Sequence, residues 1–376
     1  MANRYWVGGT GTWDTTSTTN WSASSGGASG ASVPTAADSV FFDQAGTYTV
    51  TMTGALTCLD ITVSAGTVTF ATGTTPTLAV SGSMSLIAGT VWSSTGAITF
   101  NATTTGKTIN TAGINISGSI TLNGVGGEWT LSSNLNISAL LTLTNGSFNA
   151  SSYNVSCGRF TSSNSNTRTL NMGSGTWTVN DNGNSWYLSN TTNLTFVKGT
   201  ANIVMTDTGA GGGNNFAGGG LTYNKLTFSS TGGGLVPILS GSNTFSEIAN
   251  TSTVGLTVQF TAGTTTTVTT WSASGSSGRV LTLRSATNGS SYTLAKAGGG
   301  YLTGIDYLNV RDAIGSPISD TWYIGANSVI NTTAPNSGYA MFTTQRASNA
   351  VIVLTSGTSW TVPADWNNAA NSINII

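Results

Sequence analysis

The stretch GSITLNGVGGEWTL (118–131) carries the pattern that governs most of this chain. Apolar residues fall at every second position in two short runs, polar residues stand between them, and a glycine-rich segment separates the runs. Alternation with a period of two indicates β-strands that bury one face. Glycine permits the positive φ angles that tight turns need. The stretch therefore predicts two strands separated by a glycine turn.

The same strand-and-turn unit recurs along the chain. Comparable runs are GTVTF (66–70), GAITF (96–100), GSFNA (146–150), GTWTV (175–179), NKLTF (224–228), LTVQF (256–260) and RVLTL (279–283). The runs recur in steps of about ten residues, or about twenty to thirty when grouped into coils, and repetition on this scale favours a solenoid. No helical periodicity of useful length is present.

The fold class that we predict is all-β, a parallel β-solenoid that we expect to be right-handed. A β-sandwich or barrel array is the alternative, because short alternating strands at even spacing also describe those folds. The residues predicted to face inward are Val68, Phe70, Ile98, Leu122, Leu131, Leu143 and Val179.

Charged residues are scarce in this chain. The 376 residues include 11 Lys and Arg, 12 Asp and Glu, no His and 49 Gly, so that 6% are charged; an ordinary domain has roughly a quarter. Aromatic and β-branched residues are plentiful, which argues against disorder. The net charge of −1 gives no long-range attraction to nucleic acid or anionic lipid. No stretch is long enough for a membrane helix, so we expect neither nucleic-acid binding nor membrane insertion.

Three segments differ in composition. Residues 1–50 form a Trp/Gly-rich N-terminal cap segment, residues 51–338 carry the solenoid repeats, and residues 339–376 form a small C-terminal assembly or attachment module. The repeats are interrupted by the glycine-rich run at 208–220, which we interpret as an excursion between coils because it lacks the Gly-Lys-Ser/Thr of a phosphate loop.

Tryptophans mark both terminal segments. We expect Trp6, Trp13 and Trp21 to cover the open apolar end of the solenoid, with a sugar-stacking platform as the alternative. Near the other terminus, Pro363 cannot donate to a strand ladder, so the solenoid should end before it. Trp360 and Trp366 flank that proline and should pack together.

The acidic residues do not form a recognisable catalytic pair. Glycosidases need two carboxylates within about 5 to 10 Å of each other, and only Asp38/Asp43 and Asp306/Asp312 are close in sequence. Asp306 and Asp312 flank an expected strand beside Arg311, which favours an ion pair or a turn cap. Asp38 resembles a turn residue at the start of a strand. We therefore assign no catalytic residue and predict that the chain is not an enzyme.

Metal and cofactor sites are not predicted either. The absence of His excludes Ser-His-Asp catalysis and argues against zinc. NDNGN (180–184) is the best local candidate for Ca²⁺, but it lacks the full set of alternating ligands and the distal Glu, so a plain turn is favoured. Cys58 and Cys157 lie in strand-like runs far apart in the chain, and we predict two buried free thiols.

Three parts of the chain resemble segments of bacterial and phage β-solenoid surface proteins. The opening segment combines the pattern Trp6-x-Gly-Gly-x-Gly11-x-Trp13 with Asn20-Trp21, Pro34 and Asp38. LNVRD (308–312) followed by TWYIGANSV (321–329) is similar to the end of repeat regions in phage tail and fibre proteins. LTSGTSWTVPADWN (354–367) is similar to the module that precedes glycine-rich tips in phage tail proteins.

The resemblance implies a non-enzymatic component of a phage virion surface, such as a tail fibre, spike or capsid decoration protein. The N-terminus lacks the apolar core of a secretory signal, which agrees with assembly in the host cytoplasm. The implied partners are further copies of the chain, with a trimer favoured, other virion proteins, and a host-surface glycan or protein. Two alternatives remain: a bacterial surface adhesin or filament-forming protein, and a polysaccharide-degrading tailspike.

Overall fold

The computed structural model describes residues 2–207, 213–233, 235–298, 302, 304–316, 322–330 and 342–343. These residues form strands, turns and bends, and none of them is helical. The chain divides into two compact units, Met1–Val204 and Met205–Ile376. In both units parallel strands stack in successive coils, which confirms the predicted all-β, parallel β-solenoid fold.

The strands are numbered in chain order. The first twenty-four are β1 (Asn3–Trp6), β2 (Gly11–Trp13), β3 (Trp21–Ser22), β4 (Ser39–Phe42), β5 (Thr47–Met52), β6 (Ala55–Cys58), β7 (Ile61–Val63), β8 (Thr67–Thr72), β9 (Thr77–Val80), β10 (Met84–Ser85), β11 (Val91–Trp92), β12 (Ala97–Phe100), β13 (Lys107–Asn110), β14 (Asn115–Ile116), β15 (Ile120–Leu131), β16 (Leu135–Ile137), β17 (Leu140–Asn149), β18 (Val155–Cys157), β19 (Arg159–Thr161), β20 (Arg168–Asn171), β21 (Thr176–Val179), β22 (Asn184–Tyr187), β23 (Leu194–Val197) and β24 (Asn202–Thr206). The others are β25 (Asn215–Ala217), β26 (Thr222–Ser229), β27 (Ile238–Ser240), β28 (Thr244–Asn250), β29 (Leu256–Phe260), β30 (Thr265–Ser272), β31 (Leu281–Ser285), β32 (Tyr292–Lys296), β33 (Leu308–Val310), β34 (Ala313–Ser316), β35 (Trp322–Tyr323), β36 (Val329–Ile330) and β37 (Phe342–Thr343).

A coil of the first unit has three β faces. The first face contains β6, β9, β12, the start of β15, the start of β17, β19 and β22. The second contains β4, β7, β10, β13, the ends of β15 and β17, β20 and β23. The third contains β2, β5, β8, β11, β14, β16, β18 and β21. Every one of these pairings is parallel.

Stacked coils are in register, so like residues form columns. On the first face, Ile98 pairs with Ile120 and Ile120 with Leu141, and all three side chains are buried. Their neighbours Thr99 and Thr121 pair with each other and point outward, because successive side chains alternate across a strand. The seven predicted inward-facing residues are all buried, which confirms that assignment: Val68, Phe70, Ile98, Leu122, Leu131, Leu143 and Val179.

Three tryptophans fill the N-terminal end of the first unit, as expected of a cap. Trp6 and Trp21 meet edge to face with ring centroids 5.2 Å apart, and Trp13 meets Trp21 at 5.4 Å. All three are buried and contact Phe42 in the first core layer. β3 runs antiparallel to β1, and the side-chain amide of Asn20 donates to the carbonyl of Thr12 in the edge strand β2 at 2.8 Å. The segment therefore occupies hydrogen-bonding groups of edge strands, which otherwise favour association.

Asparagines form repeated corners between the second and third faces. The side-chain oxygen of Asn149 accepts a hydrogen bond from Ser151 N at 2.9 Å, and that of Asn171 accepts one from Gly173 N at 3.1 Å. Ser151 and Gly173 have φ of 55° and 69°. Short polar side chains that bond to the backbone two residues ahead are typical of such turns.

The described residues of the second unit form two long ladders of parallel strands and one short pair. One ladder contains β25, β27, β29, β31, β33 and β36, the other contains β26, β28, β30, β32 and β34, and β35 pairs with β37. Leu256, Leu281 and Leu308 form a buried column in the first ladder. Of the predicted C-terminal module at 339–376, only residues 342–343 are described. Pro363 and the tryptophans around it lie outside the described residues.

Candidate functional site

The first acidic pair, Asp38 and Asp43, accepts hydrogen bonds from neighbouring protein groups. Asp38 accepts hydrogen bonds from Ala2 N at 3.0 Å, from Thr35 N at 3.1 Å and from Thr35 Oγ1 at 2.7 Å. Burial on its own would raise the pKa of Asp38, but these hydrogen bonds outweigh it and lower the pKa. Asp43 accepts from the amide of Gln44 at 2.9 Å. Each member of this sequence pair thus has a structural partner.

The second acidic pair has the ion pair and the turn cap expected from the sequence. Asp306 accepts from Tyr307 N at 2.8 Å, and from Asn327 N at 3.0 Å and its side-chain amide at 2.7 Å. Burial alone would raise the pKa of Asp306, but these bonds lower it. Asp312 is fully buried, has a φ of 61°, and lies 3.3 Å from Nε of Arg311.

The candidate calcium loop contains an ion pair. Arg159 contacts the Asp181 carboxylate through Nε at 2.7 Å and through a terminal nitrogen at 2.5 Å. The guanidinium of Arg159 therefore contacts the carboxylate that a Ca²⁺ ion in this loop would need as a ligand. Across the described part of the chain, no three His, Cys, Asp or Glu side chains are grouped so that they could hold a metal ion.

Both cysteines are buried and unpaired, as predicted. Burial raises the pKa of the thiols of Cys58 and Cys157, so neither is a ready nucleophile. The cap tryptophans do not form a stacking platform, because their rings are at most 1% exposed.

One corner between the first and second faces is recessed, and the recess was not predicted from the sequence. In β15 four residues, 124–127, lie between Asn123 and Glu128. In the next coil a single residue, Gly146, connects the two positions that pair with them. One coil later six residues, 162–167, intervene between Thr161 and Arg168, whereas three residues, 143–145, lie between their partners Thr142 and Gly146. A short corner therefore lies between two long ones.

We call the resulting depression the corner notch. Its volume is about 530 Å³, and its lining consists of Val125, Gly126, Gly127, Asn145, Gly146, Ser147, Ser165, Asn166, Thr167, Arg168 and Thr169. Val125 projects from one wall and is 73% exposed, more than any other large hydrophobic side chain among the described residues. The floor glycine admits no side chain, because a Cβ on Gly146 would lie 2.4 Å from the carbonyl oxygen of Gly124.

Arg168 fixes the opposite wall. Its side chain is buried, and its guanidinium donates to Ser162 Oγ and to the carbonyls of Ser162, Asn166, Asn190 and Thr192 at 2.6 to 2.8 Å. All five N–H groups therefore have neutral acceptors. Desolvation lowers the pKa of Arg168.

Further side chains tie this wall to the preceding coil. Ser162 Oγ donates to the carbonyl of Leu143 at 2.8 Å, and the amide of Asn166 donates to that of Thr144 at 3.2 Å. The wall is thus held from the coils on both sides. The sequence signal for the notch is that the strand runs of successive coils are separated by linkers of unequal length. The linkers can be compared only once it is known which strands pair.

Comparison with known proteins gives no relative. No family model, no curated protein and no solved structure matches this chain. No helix in the described segments is long and apolar enough to cross a membrane.

Proposed function

We propose that this chain is a non-enzymatic structural component of a phage virion surface, in a tail fibre, spike or capsid decoration. The observation that carries the proposal is the use of the acidic side chains. Those of Asp38, Asp181, Glu247 and Asp306 accept hydrogen bonds from, or form ion pairs with, neighbouring protein groups. Carboxylates used in this way support the solenoid and leave little chemistry for turnover.

Glu247 illustrates this use. Its carboxylate lies 3.0 Å from Nζ of Lys225 in the strand of the preceding coil and accepts from Ser272 Oγ of the next strand at 2.5 Å. Burial alone would raise the pKa of Glu247, but these partners lower it. The three residues lie on β26, β28 and β30, so one carboxylate links three stacked strands.

Low surface charge supports the proposal that the chain forms a homo-oligomer, with a trimer favoured. A chain with 6% charged residues lacks the like-charge repulsion that keeps monomers apart. Other virion proteins and a host-surface molecule are the further proposed partners, and the virion surface is the proposed location after assembly in the host cytoplasm.

Analysis of particles tests the proposal directly. Particles from the strain that encodes the chain are purified by density gradient, analysed by mass spectrometry, and labelled with an antibody against residues 2–207. We expect the protein in the particle fraction, with label on the particle exterior. Recovery only from the cell envelope would contradict the proposal and favour an adhesin.

An activity assay tests the enzymatic alternative. The purified protein is incubated with host-surface polysaccharide, and reducing ends are counted over time. We expect no release. Release that disappears when a single aspartate is replaced by asparagine would establish the tailspike alternative.

A further inference from the structure

We infer that the corner notch binds a short, neutral oligosaccharide. This rests on the proposed function insofar as a host-surface glycan is among the proposed partners, but the evidence for the site is local. Ligand sites are concave, largely preformed and about 300 to 1,000 Å³ in volume. The notch, at about 530 Å³, falls within that range.

The lining favours a ligand that carries both donors and acceptors. The hydroxyls of Ser147, Ser165, Thr167 and Thr169 make no hydrogen bond to any group in the described part of the chain, and the side-chain oxygen of Asn145 accepts none there. Hydroxyl groups both donate and accept, and an amide oxygen accepts. A polyhydroxylated ligand can use every one of these groups.

The electrostatics exclude a charged ligand. Arg168 is the one ionisable residue in the lining, but it is only 1% exposed and its five N–H groups already have acceptors. Neither a phosphate nor a carboxylate would therefore find a free donor cation. A ligand cation would find no carboxylate among the lining residues.

Val125 supplies the apolar contact that a sugar ring needs. Its side chain stands at the rim of the notch, and the exposed Gly126 beside it leaves its backbone open to close approach. Pairing with β17 resumes at Glu128 after a shift of register, so the projecting segment is an insertion between two paired runs.

Hydrogen bonds hold one wall of the notch in place before any ligand binds. The wall at 162–167 is fastened by Arg168 to the following coil and by Ser162 and Asn166 to the preceding one. A preorganised wall reduces the ordering cost of binding. Free side-chain groups on an immobilised backbone are therefore a structural basis for weak but specific recognition.

The test measures binding of trisaccharides to the full chain by saturation-transfer NMR and calorimetry. The probes are neutral trisaccharides of glucose, galactose, mannose and N-acetylglucosamine, with trigalacturonate as the anionic comparison. We expect at least one neutral probe to bind with a dissociation constant on the order of 1 mM or tighter, and the anionic one to bind at least tenfold more weakly. Absence of binding by all neutral probes, or preference for trigalacturonate, overturns the inference.

Two variants locate the binding. Val125→Asp and the double variant Ser165→Ala/Thr167→Ala should each weaken binding at least tenfold, whereas Val91→Asp, at a residue 47% exposed outside the notch, should leave it unchanged. Equal affinity in all variants overturns the inference. A change of oligomeric mass in Val125→Asp, measured by sedimentation, would assign the notch to contacts between copies instead. Failure of binding leaves the particle experiment unaffected, so the two proposals fail separately.

Discussion

Because stacked corners lie close together, we predict that replacing Gly173 by alanine strongly destabilises the fold. Gly173 has a φ of 69°, and a Cβ built on it would lie 1.7 Å from the carbonyl oxygen of Ser151 in the preceding coil. Gly113 offers a matched control, because its φ is 74° and a Cβ there would meet nothing within 4 Å. Both glycines adopt a left-handed backbone conformation, but only at Gly173 would a side chain collide with the neighbouring coil.

The expected magnitudes follow from that difference. Alanine in the left-handed region costs roughly 1 to 2 kcal/mol at either position. At Gly173 the methyl group must also push two coils apart, which disrupts the hydrogen bond from Ser174 N to Ser151 O at 2.8 Å. Ser151 and Ser174 are exposed, so water can replace the lost partners of that bond, but overpacking itself costs about 1 to 3 kcal/mol. We expect Gly173→Ala to lower the free energy of unfolding by roughly 2 to 5 kcal/mol and Gly113→Ala by roughly 1 to 2 kcal/mol.

Urea denaturation followed by tryptophan fluorescence measures both variants, because Trp177 lies buried in the same coil as Gly173. Solenoids can unfold locally, since each repeat contacts only its neighbours. Hydrogen exchange of amides in the coils around each substitution therefore complements the global measurement. Equal destabilisation by the two variants would refute the argument that coil spacing, and not φ alone, requires glycine at position 173.

Four further predictions follow from other groups. Carboxylates such as Asp306 have a lowered pKa in the folded state, so their contribution to stability is present above the unfolded value of about 4 and lost as the pH falls below it; with no His in the chain, the thermal midpoint should be flat from about pH 5 to 8. Arg168→Met should lower the free energy of unfolding by roughly 3 to 5 kcal/mol, because it removes the donors of the buried carbonyl of Ser162 and of the part-buried carbonyls of Asn190 and Thr192; a loss below about 1 kcal/mol would contradict this. Cys58 and Cys157 should react with a maleimide only after denaturation, and modification of the native protein would disprove their burial. Deletion of 339–376 should reduce the oligomeric mass without unfolding the solenoid, and an unchanged mass in light scattering would rule out an assembly role.

The sequence predicted the strands and their buried faces because one physical rule dominates both. Alternation of apolar and polar residues is a local property, so Val68 and Phe70 could be assigned to the core without knowledge of any neighbour. The same holds for Cys58 and Cys157, which lie in runs that alternate in the same way.

The relative lengths of stacked corners, and so the corner notch, could not be predicted, because they depend on which coils meet. Nothing in the sequence distinguishes Gly124, Gly127 and Gly146 from glycines in open turns. In the structure, a backbone carbonyl of the preceding coil leaves no room for a Cβ at any of the three. The burial of Arg168 is also not evident from the sequence. A lone arginine in a polar stretch suggests a solvated side chain, yet the carbonyls of two neighbouring corners enclose it. Such sites arise from tertiary contacts that no local pattern records.

The unequal corners also suggest how the surface of such a chain can diversify. The strands pair on both sides of 124–127, at Leu122 with Leu143 and at Glu128 with Ser147, although the two corners differ in length and the register shifts between these pairs. Insertions at a corner therefore do not prevent the flanking strands from pairing with the neighbouring coil. Related proteins could therefore lengthen, shorten or exchange one corner at a time while the strands stay unchanged. Variation in sequence and length would then concentrate at the corners, where neighbouring faces meet.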